Sequence, residues 1–303
     1  IPSFLMPSTM RGDQHILAPR GESGTQIFLL PASGGEARQL TRHPTSVSQP
    51  AWAPDGSAIY FLASDPPTAE ERDRVRLRDD VYAFEENFKQ RHLWRATVAS
   101  GAEQKITDGD WSVLSYRLSR DGRQITAHRS PTPLVGDNYR SEVWLMDAGG
   151  GNARRLTDNE IEEGEADLSP DSTHVLFLAE AADTNSRLEP YYSSTLFLAP
   201  AGGGPPRALL PDFPYAIERA AGAADSQTIL AVVNMGSHSE IFRIDVAARR
   251  ADALTDGRHS VQFWSAVPAA ARMVFQLDEP ARLGDVWTLP FGGGTPARVT
   301  GVY

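Results

Sequence analysis

The segment from Ala51 to Leu62 reads AWAPDGSAIYFL, in which two short apolar stretches flank a Pro-Asp-Gly turn. Asp-Gly supplies the positive φ angles that a tight turn between antiparallel strands requires. Comparable turns occur at residues 119–122 (SRDG) and 169–172 (SPDS), and each is followed by another apolar stretch. The segment is therefore interpreted as one hairpin of a repeated β structure.

A second pattern recurs downstream of these turns. It consists of an aliphatic–aromatic pair, a turn rich in small residues, and a strand that ends in Leu-Thr or a similar pair. The aliphatic–aromatic pairs are Ile27-Phe28, Leu93-Trp94, Val143-Trp144, Leu196-Phe197, Ile241-Phe242 and Val286-Trp287. The closing pairs are Leu40-Thr41, Ile106-Thr107, Leu156-Thr157, Leu209-Leu210, Leu254-Thr255 and Val299-Thr300.

Four short strands per repeat, with aromatic residues spaced 45 to 66 residues apart, are typical of the blades of a β-propeller. The sequence predicts an all-β protein, a single β-propeller domain over residues 1–303 with six visible repeats. A seventh blade is possible if the N-terminus is trimmed. The alternative, a β-sandwich, gives no reason for six copies of one order of turns. The approximate blades span residues 1–41, 42–107, 108–157, 158–210, 211–255 and 256–300.

Composition excludes several classes of function. The net charge of −10 disfavours binding to a nucleic-acid backbone, which needs a cationic surface. The absence of cysteine excludes disulfides and thiolate chemistry. The seven histidines lack the spacing of metal-ligand pairs, so we expect no metal and no cofactor. No apolar run is long enough to span a membrane. The chain does not begin with Met, which suggests a processed N-terminus, and the compartment, cytoplasmic or exported, stays open.

Two insertions interrupt the repeats. The first, residues 65–91, lies in the second repeat, and Thr68 with Glu71 forms a Thr-x-x-Glu capping box at its start. The charged segment from Ala69 to Asp80 predicts a solvated helix. The second insertion, residues 181–192 in the fourth repeat, is polar and predicts a surface loop.

These features together resemble the N-terminal propeller of prolyl oligopeptidase-type serine peptidases, including the dipeptidyl and acylaminoacyl peptidases. The resemblance is carried by the repeats, by DPPTAEE at residues 65–71 and by RHLW at residues 91–94. It implies a partner α/β-hydrolase domain that carries the catalytic Ser-Asp-His triad. Its nucleophile motif, Gly-x-Ser-x-Gly, is absent here, so the resemblance implies that this chain holds no catalytic residue and that the triad lies on a missing or separate segment.

The same resemblance implies a role for Glu85 and Glu86, which follow Val81-Tyr82-Ala83-Phe84. In the dipeptidyl peptidases a glutamate pair on the propeller holds the free ammonium group of the peptide substrate. Two adjacent carboxylates suit that task because they accept charge-assisted hydrogen bonds. The alternative is a solvated acidic pair on a charged insertion.

Two arginines flank that pair. Arg78 and Arg91 are further candidates for substrate binding, since a planar guanidinium matches a carbonyl or a carboxylate. Salt bridges to the neighbouring acidic residues are the alternative. The function expected is that of a substrate-gating propeller in an exopeptidase that cleaves short peptides. A non-enzymatic interaction scaffold is the second possibility, and a propeller enzyme with metal ligands or paired carboxylates on its axis is the third.

Overall fold

A computed structural model of the protein describes residues 10–11, 14–17, 20–21, 24–79, 81, 85–159, 161–180, 194–267 and 270–301. The second predicted insertion, residues 181–192, lies outside this set. The chain forms two compact units, Ile1–Arg155 and Leu156–Tyr303. Each unit contains three four-stranded antiparallel sheets.

The first unit holds the first three sheets and both described helices. The first sheet has the order β1-β2-β5-β6, and β3 and β4 form a separate hairpin. The strands of the first sheet and the hairpin are β1 (Met10–Arg11), β2 (Gln14–Leu17), β3 (Arg20–Gly21), β4 (Gly24–Thr25), β5 (Phe28–Pro31) and β6 (Arg38–Gln39). The second sheet contains β7 (Val47–Trp52), β8 (Ala58–Ser64), β9 (Arg91–Thr97) and β10 (Glu103–Lys105), and helix α1 (Ala69–Arg76) lies between β8 and β9. The third sheet contains β11 (Ser112–Leu118), β12 (Gln124–Ser130), β13 (Glu142–Asp147) and β14 (Arg154–Arg155), with a 3-10 helix (Val135–Arg140) between β12 and β13.

The second unit holds three further sheets, each a meander in chain order. The fourth sheet contains β15 (Glu163–Leu168), β16 (His174–Glu180), β17 (Ser194–Pro200) and β18 (Arg207–Ala208). The fifth contains β19 (Ala216–Gly222), β20 (Thr228–Asn234), β21 (Ser239–Asp245) and β22 (Arg250–Ala253). The sixth contains β23 (Ser260–Val267), β24 (Arg272–Glu279), β25 (Arg282–Pro290) and β26 (Ala297–Arg298).

The Pro-Asp-Gly segment forms the hairpin that its sequence predicts. The N–H of Ala53 donates to the carbonyl of Ala58 at 2.8 Å, and Gly56 adopts a φ of 77°. The carboxylate of Asp55 accepts the N–H of Ser57 at 2.9 Å, and this bond lowers the pKa of Asp55. Aspartate therefore fixes the turn through its side chain, while glycine supplies the backbone conformation.

The closing Leu-Thr pair has a specific structural task. The hydroxyl of Thr41 accepts the N–H of Ile27 at 2.9 Å and donates to the side chain of Gln26 at 2.9 Å. The same arrangement, with the threonine 14 residues after the aliphatic residue, joins Thr107 to Leu93, Thr255 to Ile241 and Thr300 to Val286. We call this bond the threonine latch. It provides a hydrogen-bond acceptor for the N–H at the start of the third strand. This N–H lies just beyond the last hydrogen bond between the third and fourth strands.

The apolar cores lie between consecutive sheets. One cluster joins the second and third sheets and includes Tyr60, Leu62, Ile125 and Met146, and equivalent clusters join the first with the second, the fourth with the fifth, and the fifth with the sixth. Within each unit, each repeat thus buries a face against the next one, as stacked repeats must. The aliphatic member of the recurring pair is fully buried in five sheets, whereas its aromatic neighbour is half-buried in most of them. The aliphatic residue, and not the aromatic one, is the deeper core residue.

The first strand of each sheet from the second to the sixth carries a β-bulge. In the third sheet the bulge falls at Leu114, whose carbonyl accepts the side-chain amide of Gln49 at 3.0 Å. In the sixth sheet the carbonyl of Gln262 likewise accepts from Arg219 at 3.2 Å. A bulge releases a carbonyl from its own ladder, and here the preceding sheet binds the released carbonyl.

The meander places the long connections together. In an antiparallel sheet, the connection between the second and third strands emerges at the same end as the chain that leaves the fourth strand. In the first unit this end comprises the described residues among 65–90, 106–111 and 131–141, and we call it the insertion end.

Removal of one latch should destabilise the protein. In Thr41→Val the N–H of Ile27 and the side chain of Gln26 each lose a buried partner, at an expected cost of about 1–3 kcal/mol in the free energy of unfolding. Urea denaturation measures this cost. Thr173→Val, at an exposed threonine whose hydroxyl bonds only to its near neighbours Asp171 and His174 among the described residues, is the matched control. Equal losses in both variants would contradict a special role for the latch.

Stability should also fall at mildly acidic pH. His128 is buried, its Nδ1 lies 2.9 Å from the hydroxyl of Ser115, and burial together with Arg117 lowers the pKa of its imidazole from 6.5 to about 4. Between those values the unfolded chain binds a proton that the folded chain does not bind. The free energy of unfolding should therefore decrease by up to about 3 kcal/mol as the pH falls from about 6.5 towards about 4. In His128→Gln that part of the pH dependence should vanish, and an unchanged slope in urea denaturation would contradict the assignment.

Candidate functional site

Helix α1 projects from the insertion end as a solvated helix. The hydroxyl of Thr68 accepts the N–H of Glu71, and the carboxylate of Glu71 accepts the N–H of Thr68, so the predicted capping box is present. The helix ends at Arg76 rather than at Asp80, and none of its residues is buried. Lys89 ties the helix to the base of the insertion through a 2.6 Å ion pair with Glu71, which lowers the pKa of that carboxyl.

The predicted amine-binding pair lies on this insertion. Glu85 and Glu86 are both exposed in a turn, and Glu85 has a φ of 59°. Neither carboxylate has a hydrogen-bond or ion-pair partner among the residues that the structure describes. Arg78 follows α1, is exposed, and has a φ of 57°. The residues Tyr82, Ala83 and Phe84, which precede the pair, lie outside the described set.

Arg91, the fourth predicted site residue, bonds to the neighbouring sheet. Its Nε donates to the carbonyl of Val113 at 2.8 Å and its Nη2 to the carbonyl of Leu114 at 3.0 Å. Burial lowers the pKa of this guanidinium. The side chain therefore joins β9 to the bulged strand β11, and both acceptors are backbone carbonyls rather than the neighbouring acidic side chains.

Gln90 closes the base of the insertion against the third sheet. Its side-chain amide donates to the carboxylate of Asp110 at 3.1 Å and to the carbonyl of Pro131 at 3.0 Å. The hydroxyl of Ser112 donates to the carbonyl oxygen of the same side chain at 2.5 Å. One residue thus holds three chain segments of the insertion end together.

A charged cluster lies beside this junction. Lys105 donates to Asp108 at 2.6 Å and to Asp65 at 2.9 Å, and these bonds raise the pKa of Lys105 although partial burial opposes the shift. Asp65 also lies 3.4 Å from Nε2 of the fully buried His92. Burial, assisted by the charge of Lys105, lowers the pKa of His92. The cluster therefore places the imidazole of His92 next to a lysine whose positive charge is paired with two carboxylates. No group of His, Asp and Glu suited to holding a metal ion occurs in the described part of the chain.

The sequence did not point to Arg129. Its Cζ lies 3.9 Å from the ring centroid of Trp111 and 4.3 Å from that of Trp144, so the guanidinium makes cation–π contacts with two indoles. Trp111 belongs to the connection before β11, Arg129 to the end of β12 and Trp144 to β13. The edge of His92 contacts Trp111, with ring centroids 5.6 Å apart. The proximity depends on the strand register and on the path of a connection, which residue spacing alone does not reveal.

Comparisons with known proteins identify the fold. No family model matches the chain. The uncharacterised peptidase YuxL of Bacillus subtilis is 25% identical over 175 residues, which are 58% of this chain and 21% of that protein. The uncharacterised protein Atu1656 of Agrobacterium fabrum is 24% identical over 173 residues, which are 57% of this chain and 49% of that protein. The chain thus spans about a fifth and about half of the lengths of these curated relatives.

Several solved structures are similar to this chain in fold. TolB of Acinetobacter baumannii has a TM-score of 0.56 at 18% identity, covering 96% of this chain and 65% of its own. Oligogalacturonate lyase of Vibrio parahaemolyticus scores 0.69 at 12% identity, with coverages of 95% and 74%. A puromycin-hydrolysing peptidase of Mycobacterium tuberculosis scores 0.69 at 12% identity, with coverages of 94% and 43%. The predicted fold class is confirmed, and the chain is a β-propeller related in sequence to part of a bacterial peptidase.

The charged cluster makes a testable prediction. Lys105 lowers the pKa of His92, whereas Asp65 and Asp108 raise it. In Lys105→Met the pKa of His92 should therefore rise, as measured by NMR titration of its ring protons. Lys89→Met removes a nearby lysine that has no part in the cluster and should leave the titration of His92 unchanged. A rise in both variants would show an unspecific effect of charge, and no rise in Lys105→Met would contradict the described coupling.

Proposed function

We propose that this chain is the substrate-gating propeller of a serine exopeptidase that cleaves short peptides. The observation that carries the proposal is the pair Glu85 and Glu86, exposed on the insertion and without a described partner. Carboxylates that a fold leaves unpaired are free to receive the ammonium group of a peptide N-terminus. The sequence similarity to a bacterial peptidase also supports a role in a peptidase. The finer assignments, to the dipeptidyl or to the acylaminoacyl peptidases, are part of the proposal.

The proposal includes an α/β-hydrolase partner domain that carries the triad. Exposed apolar side chains on the insertion, at Val75, Leu77 and Val81, support it because they are 69% to 78% accessible. Such residues mark a surface that another domain covers. The described helices include none that is long and apolar enough for a membrane span. In this proposal the propeller excludes water and large substrates, and the hydrolase domain performs the chemistry.

The test of the amine anchor compares two substrates. Glu85→Gln and Glu86→Gln are assayed in the native enzyme on an aminoacyl-prolyl substrate with a free N-terminus and on its acetylated form. The KM for the free amine should rise about tenfold or more, because a charge-assisted hydrogen bond is lost, while the acetylated substrate should be unaffected. Glu70→Gln, at an exposed glutamate on α1 of the same insertion, is the control. An unchanged KM in both variants would overturn the role of the pair.

The test of the partner domain is the intact mass of the native protein. A polypeptide of about twice 33.0 kDa, or a second chain with Gly-x-Ser-x-Gly that copurifies, is the expected result. A native protein of 33.0 kDa without such a chain and without peptidase activity would overturn the proposal. It would favour the alternative, a propeller that serves as a protein-interaction scaffold.

A further inference from the structure

The guanidinium of Arg129 has no anionic partner among the residues that the structure describes. An arginine side chain carries five N–H donors. The hydrogen bond of Arg129 in the structure runs from Nη2 to the thioether of Met146 at 3.7 Å, and sulfur is a weak acceptor. Its Nε is buried and has no acceptor among the described residues. Buried or half-buried charges in proteins are otherwise paired.

Arg91, another arginine of the same region, has the hydrogen-bond acceptors that Arg129 lacks. Both arginines are half-buried at the insertion end, and burial lowers the pKa of both, for Arg129 to about 10. Arg91 satisfies its donors with two backbone carbonyls, but Arg129 does not. The acid opposite Arg129 in the ladder, Glu142, bonds to Arg155 at 2.6 Å instead. The acid that faces Arg129 across the ladder is therefore paired with another arginine.

The two tryptophans define where a partner can approach. Both indole rings lie within 4.3 Å of the guanidinium carbon and stabilise its charge through cation–π contacts. The rings occupy space above the guanidinium plane, so the edge of the group is the direction in which acceptors approach it. Nη1 has no hydrogen-bond partner among the described residues and, unlike Nε, it is not fully buried, so solvent reaches this end of the guanidinium. A planar carboxylate fits such an edge with two parallel hydrogen bonds.

The fold also holds the tryptophans in place. A Cβ on Gly109 would lie 2.5 Å from Nε1 of Trp111, and Gly109 has a φ of 125°, so glycine allows the indole to fold back over its own connection. His92 packs its edge against the same indole, and Trp111 packs on the core between the second and third sheets. The stacking partners of Arg129 are therefore set before a ligand arrives.

We propose that Arg129, with Trp111 and Trp144, forms a binding site for the free carboxylate of a small organic ligand. One guanidinium offers a single bidentate edge, which matches a monoanionic carboxylate better than a phosphate dianion. The carboxylate of Glu142, which lies opposite Arg129 in the ladder, adds to the cost of a dianion at this place. The site does not require peptidase activity. If the proposed function holds, the C-terminal carboxylate of a short peptide is the natural ligand.

The experiment measures binding to the chain itself by titration calorimetry and by the NMR signals of the Trp111 and Trp144 indole N–H groups. The probes are N-acetyl-Gly-Gly as the free acid, the same peptide as the C-terminal amide, acetate and inorganic phosphate. The free acid should bind and shift both indole signals, and the amide should not. Binding of acetate with equal affinity would assign the site to carboxylates in general, and weaker binding of acetate would assign it to peptide termini. Equal binding of acid and amide, or tighter binding of phosphate, would overturn the proposal.

Variants provide the second arm. Arg129→Lys keeps the charge but loses the planar fork, and affinity for the free acid should fall about tenfold or more. Arg123→Ala removes an exposed arginine next to the opposite end of β12 and should bind as the wild type does. Thermal melting verifies that both variants are folded. Should Arg129→Lys fail to fold, the acid–amide comparison on the wild type still decides the question. The result is independent of the KM assay on Glu85 and Glu86, so either proposal can fail alone.

Discussion

The burial of sheet faces against one another is the constraint on which this structure depends. Each four-stranded sheet is apolar on a face that water would otherwise reach, and a neighbouring sheet covers it, as Leu62 and Ile125 show between the second and third sheets. Sheets packed in this way use their faces for stability. Binding groups are therefore confined to strand ends and connections, and the insertion end of the first unit is such a place.

Many of the polar groups in these cores have fixed partners. The threonine latch is the repeated example, because one hydroxyl serves both a backbone N–H and a buried polar side chain such as Gln26 or Glu240. In the fourth sheet Leu210 occupies the position of the latch threonine, and this apolar side chain is buried. Arg129 differs from these groups, since its charged guanidinium lies against two indole rings rather than against acceptors. An unpaired charge costs more than an unpaired neutral group, so function is expected where a fold retains one.

Much of the fold could be predicted because its signals are local. The Asp55-Gly56 turn, the capping box at Thr68 and the Leu-Thr endings each depend on residues that are close in sequence or in register within one sheet. The environments of the site residues were harder to predict from local sequence signals. Arg91 was a candidate ligand-binding residue, yet its acceptors include the carbonyl at the Leu114 bulge, and a bulge in another strand leaves no clear sequence signal. Arg129 was missed because its environment is assembled from three segments of the chain.

The fourth strands have a consequence for how this protein behaves in a crowded solution. In four of the six sheets the fourth strand is only two residues long, and in each of those four it contains an arginine. A strand at the edge of a sheet can recruit a strand from another molecule, and long, flat, uncharged edges do so most readily. Two residues offer too short a ladder for such recruitment, and an arginine adds a charge to each of these edges. These four edges are therefore poor templates for aggregation.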